Sequence, residues 1–181
     1  AQAATGVGAK QQGAKAKDEQ ARKAVADEIQ GIFASTKKEV EAKLGGLDKE
    51  VNDLFDSGEK STRDKLESGI GDKMSSWKLQ RYILAPGGAA LWVYDQFKDI
   101  NEYPEVKAIF DGARQQYLTE MDAVLVKIAD TVEARLKEAK TLIDQGRAQV
   151  RAVVERQPAS LRQVAEETAN TVNGEFQKLE Q

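Results

Sequence analysis

The chain has 181 residues, of which 31% are charged and 6% aromatic, and its formal net charge is −3. It contains no Cys and no His, which excludes disulfides, thiolate chemistry, imidazole acid–base catalysis and thiolate zinc sites. Acidic and basic residues are interspersed, so no dedicated basic face exists to displace counterions from phosphates, and no nucleic-acid partner is expected.

Only Pro86, Pro104 and Pro158 interrupt the chain's freedom to be helical. The opening "AQAATGVGAK" lacks Met and shows no apolar signal region, as expected of a fragment or a processed product. Residues 1–17 are Ala, Gly, Gln and Lys with almost nothing large to bury, and read as a flexible lead-in. Residues 18–181 read as one elongated helical module.

A helical pattern runs from about 18 to 81. Ile29, Val40, Val51 and Thr62 recur every eleven residues; so do Phe33, Leu44, Phe55 and Leu66, and so do Thr36, Leu47, Gly58 and Gly69. Eleven residues make close to three turns, so the apolar stripe stays on one face. Charged stretches such as "KKEVEAK" supply an outer face, with ion pairs such as Glu39–Lys43 expected along it. Gly45–Gly46 leaves three outcomes open: a kink, a close helix crossing, or a full break.

The next segment, about 82–103, is the most apolar and aromatic of the chain. Trp77, Tyr82, Trp92, Tyr94, Phe97 and Tyr103 lie in or beside it. Pro86 and Gly87–Gly88 end the preceding helix, and "AALWVYDQF" reads as a short cross-helix whose large side chains plug a turn. These six aromatics form the candidate interaction tip. The run is too short to span a bilayer and is interrupted by Asp95 and Lys98, which leaves peripheral membrane contact as the rival reading.

A second eleven-residue repeat occupies about 105–157. Its columns are Phe110, Met121, Val132, Ile143 and Val154; Tyr117, Ile128, Ala139 and Val150; and Ala113, Val124, Arg135 and Gly146. Arg135 is the misfit, and Leu136 is expected to take its place. A last helix at about 160–180 carries Leu161, Val164, Thr168, Val172, Phe176 and Leu179, with Ser160 the candidate N-cap and Gln163 its capping-box partner.

No strand signal is present, so the fold class is all-α: a long antiparallel helical hairpin, coiled-coil-like, with an aromatic short-helix tip and a third helix packing back. In such a hairpin the numbers of facing residues sum to roughly 185, which sets Gln157 near Glu28, Leu66 near Tyr117 and Phe55 near Ile128.

No phosphate-binding loop or EF-hand is present, and the paired carboxylates lie among Lys and Arg as a solvated surface. No catalytic, cofactor-binding or metal-binding residue is named. The chain reads as a non-enzyme without a cofactor.

"YLTEMD" (117–122), "AKTLIDQGRAQV" (139–150), "PASLRQVAE" (158–166) and the terminal "FQKLEQ" (176–181) carry a resemblance. They resemble the long helical region of large bacterial proteins that also carry the extracellular contractile injection system core domain, a zinc-metallopeptidase-like module. The resemblance covers about 25–181, weakly in the first helix, and includes the aromatic "LWV" linker and "PEVKAIF" after it. It implies a helical scaffold, packaging or translocation part of a toxin or effector associated with phage-tail-like particles. The implied partners are other domains of the same protein or particle components. The implied location is the bacterial cytoplasm before loading, then outside the cell or inside a target cell. The metallopeptidase-like domain and its His-containing motif are absent here, so that activity does not carry over.

Two further readings follow from the repeats. Eleven-residue amphipathic repeats also mark apolipoprotein-like lipid-surface chains and desiccation-protective chains. The stripe could also serve self-association into a homo-oligomer.

Overall fold

A computed structural model describes the backbone of residues 2–96 and 98–181, and the side chains of 13–96, 98–100 and 102–181. The chain is all-α, with no strand among the described residues. Among the described residues five α-helices follow in order: α1 (Gln2–Leu44), α2 (Leu47–Lys78), α3 (Gly88–Asp95), α4 (Pro104–Glu155) and α5 (Ala159–Leu179). A π-helical turn, Leu79–Leu84, continues α2, and a 3₁₀ turn, Ile100–Glu102, precedes α4.

Several boundaries differ from the sequence expectation. Helical backbone begins at Gln2, not near Asp18, so the lead-in expected at 1–17 is helical wherever its backbone is described. Ala, Gln and Lys favour helix even where little is buried. At Gly45–Gly46 the ladder closes with the Gly45 amide on the Glu41 carbonyl at 2.7 Å, and helix resumes at Leu47. Pro104 is the first residue of α4, where its missing N–H costs nothing. Ser160 does not cap α5. Pro158 does, with extended ψ of 158° and its carbonyl accepting from the amides of Leu161 (2.9 Å) and Arg162 (3.1 Å), so Ser160 falls inside the first turn.

The chain divides into two compact units, residues 1–47 with 133–181, and residues 48–132. In the first, α1, the later part of α4 and α5 share one core. Ile29, Val40, Val150, Val153 and Phe176 are fully buried there, joined by Ile143, Ala165 and Val172. The rings of Phe33 and Phe176 meet edge to face at 5.1 Å, within the range where aromatic pairs attract. Antiparallel order within this unit is marked by the Arg156–Glu28 ion pair, one residue from the expected facing pair, and by Lys43 Nζ at 3.2 Å from Glu138. Lys43 therefore reaches across to α4 and not along its own helix to Glu39.

In the second unit α2 runs antiparallel to the early part of α4. Lys65 donates to Glu120 at 2.8 Å, and a Cβ built on Gly58 would lie 2.6 Å from the Val124 methyls. The core here is thin. Buried residues among those described are Thr62, Gly88, Tyr103, Val106 and Ala113. Phe55 and Phe110, both expected in the stripe, are 40% and 44% exposed. Two helices meet along one seam only, and a side chain as wide as Phe overhangs it.

One stripe assignment is corrected. Leu136 is 53% exposed, while Arg135 keeps the inner column, partly buried and 3.4 Å from Glu138. Regular helix geometry holds the eleven-residue column at Arg135, and the long aliphatic stem of an arginine can line a seam while its guanidinium reaches solvent and a carboxylate.

Candidate functional site at the aromatic tip

The connector between α2 and α4 holds the most distinctive chemistry of the molecule. Its turn is built by three residues, Ala85, Gly87 and Gly88, with separate jobs. The Ala85 amide bonds the Gln80 carbonyl at 3.0 Å, five residues back, which closes the π-helical turn. Gly87 then takes φ of 78°, a left-handed value that favours glycine. Gly88 packs so closely that a Cβ would lie 2.2 Å from the Tyr82 carbonyl oxygen. The "PGG" break is thus the device that lays α3 against the π-helical turn.

That docking brings Asp95, the last residue of α3, onto Arg81 and Tyr82. Arg81 grips the carboxylate with two bonds, Nε to Oδ2 at 2.6 Å and Nη2 to Oδ1 at 3.1 Å. The Tyr82 hydroxyl donates to Oδ2 at 3.0 Å, and the Tyr103 hydroxyl donates to Oδ1. The Asp95 side chain is only 6% exposed. A buried carboxylate needs this many partners, because an unpaired one would carry a large desolvation cost.

Aromatic rings wall the pair. The Arg81 guanidinium lies 4.5 Å from the Tyr103 ring centroid and 5.5 Å from that of Trp77. Trp77 meets Tyr82 edge-on at 5.9 Å and Tyr103 at 5.5 Å, and Lys98 Nζ sits 4.9 Å over the Tyr103 ring. Cations over aromatic faces are attracted by the ring quadrupole.

Charge states follow from these contacts. Hydrogen bonding from Arg81 holds the Asp95 carboxyl well below the usual carboxylate range, with Tyr103 and Tyr82 adding to it. The same bond raises the Arg81 guanidinium. The Tyr103 phenol is raised chiefly by its bond to Asp95, and the Tyr82 phenol chiefly by burial.

The six aromatics singled out in the sequence therefore separate. Trp77, Tyr82 and Tyr103 converge on the Arg81–Asp95 pair. Trp92 lines a shallow recess with Tyr82 and Asp95, but neither it nor Tyr94 plugs the turn: both are exposed, because α3 turns Gly88, Leu91 and Asp95 inward, at i, i+3 and i+7. Phe97 lies outside the described residues. Sequence reasoning missed Arg81 and Asp95 as partners. The available signal was a lone acid among aromatics, with the basic residue that matches it at the far side of the turn.

This arrangement is a lock. Asp95 is spent on three donors, and no nucleophile–base pair is formed with it. Among the described residues no group of three or more His, Cys, Asp or Glu is placed to hold a metal ion. No buried side-chain polar atom among them lacks a partner. A groove of about 710 Å³ in the first unit is lined by α4 and α5 side chains including Arg147, whose guanidinium is gripped by Glu180 at 2.8 and 3.0 Å. None of the described helices is long and apolar enough to cross a membrane.

No family model matches the chain, and the comparisons with curated proteins and with solved structures give no match.

Proposed function

We propose that this chain is a non-catalytic helical scaffold or translocation module of a bacterial toxin or effector associated with a contractile injection system. The observation that carries the reading is the uneven burial. The first unit has a well-packed three-helix core, whereas the second buries few side chains and leaves Leu79, Phe110, Leu118 and Leu125 exposed. A thin two-helix seam is easily unravelled for passage through a narrow tube, and helical contacts re-form quickly. The exposed apolar rows offer surface for another domain of the same protein or for a particle component. The sequence resemblance points the same way, with loading in the bacterial cytoplasm and delivery beyond it.

The apolipoprotein-like reading is less favoured. Chains of that kind keep their stripe for lipid, whereas Ile29, Val150 and Phe176 bury theirs against one another.

The test is a covalent staple in the second unit. The chain has no Cys, so Gly58→Cys with Val124→Cys introduces one defined pair, at positions where the two Cβ atoms would lie 3.2 Å apart. Loaded into an injection particle, the reduced protein is expected to be delivered and the oxidised protein to be retained. Equal delivery of both would reject passage by unfolding.

A further inference from the structure

α3 presents an anomaly for a helix on a protein surface. Its inner face, Gly88, Leu91 and Asp95, packs on the π-helical turn. Everything it shows outward is apolar or aromatic: Ala89, Ala90, Trp92, Val93 and Tyr94, with no charged residue among them. A helix facing water normally carries polar residues on its outer side. The turn beneath it repeats the anomaly, with Ile83 at 72% and Leu84 at 68% exposed. These are among the most exposed large apolar side chains of the described residues, and they sit on the same small structure as Trp92 and Tyr94.

Charge within the stretch that builds this structure is one-sided. From Lys73 to Tyr94 the chain has Lys73, Lys78 and Arg81 and no carboxylate, although the protein as a whole is net acidic. Carboxylates begin again on either side of that stretch, at Asp72 before it and at Asp95, Asp99, Glu102 and Glu105 after it; of these, Asp95 is engaged by Arg81, and Glu102 lies 3.9 Å from Lys98. Lys73 and Lys78 are both exposed on the last turns of α2. Aliphatic side chains with Trp and Tyr suit the boundary between acyl chains and headgroups, and flanking lysines suit anionic headgroups.

We propose that the tip formed by the π-helical turn and α3 docks on the surface of an anionic lipid bilayer. Ile83, Leu84 and Val93 enter the acyl boundary, Trp92 and Tyr94 sit at headgroup depth, and Lys73 and Lys78 meet the lipid charge. The Arg81–Asp95 lock keeps α3 presented in this attitude. The docking is peripheral, since eight helical residues cannot span a bilayer. The proposal rests on the chemistry of the tip and not on the delivery reading.

The experiment uses the full chain carrying Trp77→Phe, which leaves Trp92 as the sole tryptophan. It is mixed with vesicles of phosphatidylcholine alone and of phosphatidylcholine with phosphatidylglycerol. The expected result is flotation with the mixed vesicles, a blue shift of Trp92 emission, and quenching of Trp92 by brominated lipid. Ile83→Ser with Leu84→Ser should weaken binding about tenfold or more. Lys73→Glu and Lys78→Glu should each weaken it about fivefold on the anionic vesicles alone. Because all four side chains are exposed, circular dichroism should show unchanged helix.

Unchanged Trp92 emission with both vesicle types would overturn the proposal. So would binding that survives the double serine variant with its helix intact. A concentration-dependent doubling of mass in light scattering, abolished by the serine pair and unaccompanied by flotation, would assign the patch to a second copy of the chain and overturn it equally. Should the serine pair disturb folding, brominated-lipid quenching of Trp92 in the Trp77→Phe chain without the serines decides alone. None of these outcomes bears on the staple experiment.

Discussion

Gly146 of α4 lies against the ring of Phe176 of α5: a Cβ placed there would come within 2.8 Å of Phe176 Cζ and 2.6 Å of Thr36 Oγ1. Three helices of the first unit therefore meet at a point where one of them has no side chain. Gly146→Ala would gain about 1 kcal/mol of helix propensity. It would lose about 1–3 kcal/mol to overpacking, because the Phe176 ring is fully buried and cannot step aside. The net expectation is destabilisation by about 1 kcal/mol in urea unfolding. Gly112, on the same helix with nothing near its missing Cβ, should behave oppositely, and Gly112→Ala should stabilise by about 0.5–1 kcal/mol.

Phe176 and Phe55 separate the two units experimentally. Phe176 is fully buried and stacked edge-on to Phe33, so Phe176→Ala should cost about 3–5 kcal/mol. Phe55 occupies an equally regular stripe position but overhangs a two-helix seam, and Phe55→Ala should cost about 1 kcal/mol. Thermal melts followed by circular dichroism give both values. Equal losses would mean that the second unit is packed more tightly than its exposure indicates.

The stripe was legible in the sequence because helix geometry repeats every eleven residues whatever the tertiary context. Ile29, Val40, Ala139, Val150 and Gly146 all fall on the inner faces their spacing indicates. What spacing could not give is how well each column is covered, since that depends on whether a third helix is present. Nor could it rank Arg135 against Leu136, because a hydropathy pattern treats arginine as wholly polar while its stem can line a seam. Leu136→Ala is therefore expected to change stability by no more than about 0.5 kcal/mol, and Ile143→Ala, buried about two turns further on, to cost about 2–5 kcal/mol.

The lock at the tip was the least legible feature. Arg81 and Asp95 sit on different elements, and their meeting depends on the π-helical turn, the left-handed Gly87 and the contact at Gly88 acting together. In sequence Asp95 merely interrupts an apolar run. Its burial also makes it the group through which pH should act on the tip.

A carboxyl whose pKa is lowered by folding contributes stability that is present above its unfolded value, about 3.9, and lost as pH falls through the folded one. Asp95 is such a group, held down first by Arg81. Tyr103 and Tyr82 are shifted upward, and a phenol raised by folding contributes stability that is present below its unfolded value, about 10, and lost as pH rises beyond it. The tip should therefore be tightest between these limits and loosen on both sides. Emission from Trp77, which touches Tyr82 and Tyr103, reports this in the full chain carrying Trp92→Phe. Asp95→Asn is expected to weaken the tip at neutral pH and to flatten the acid limb. Tyr103→Phe should reduce the alkaline limb and leave an acid limb in place, since Arg81 and Tyr82 still hold the carboxylate. An acid limb that persists unchanged in Asp95→Asn would show that a different carboxylate governs the tip.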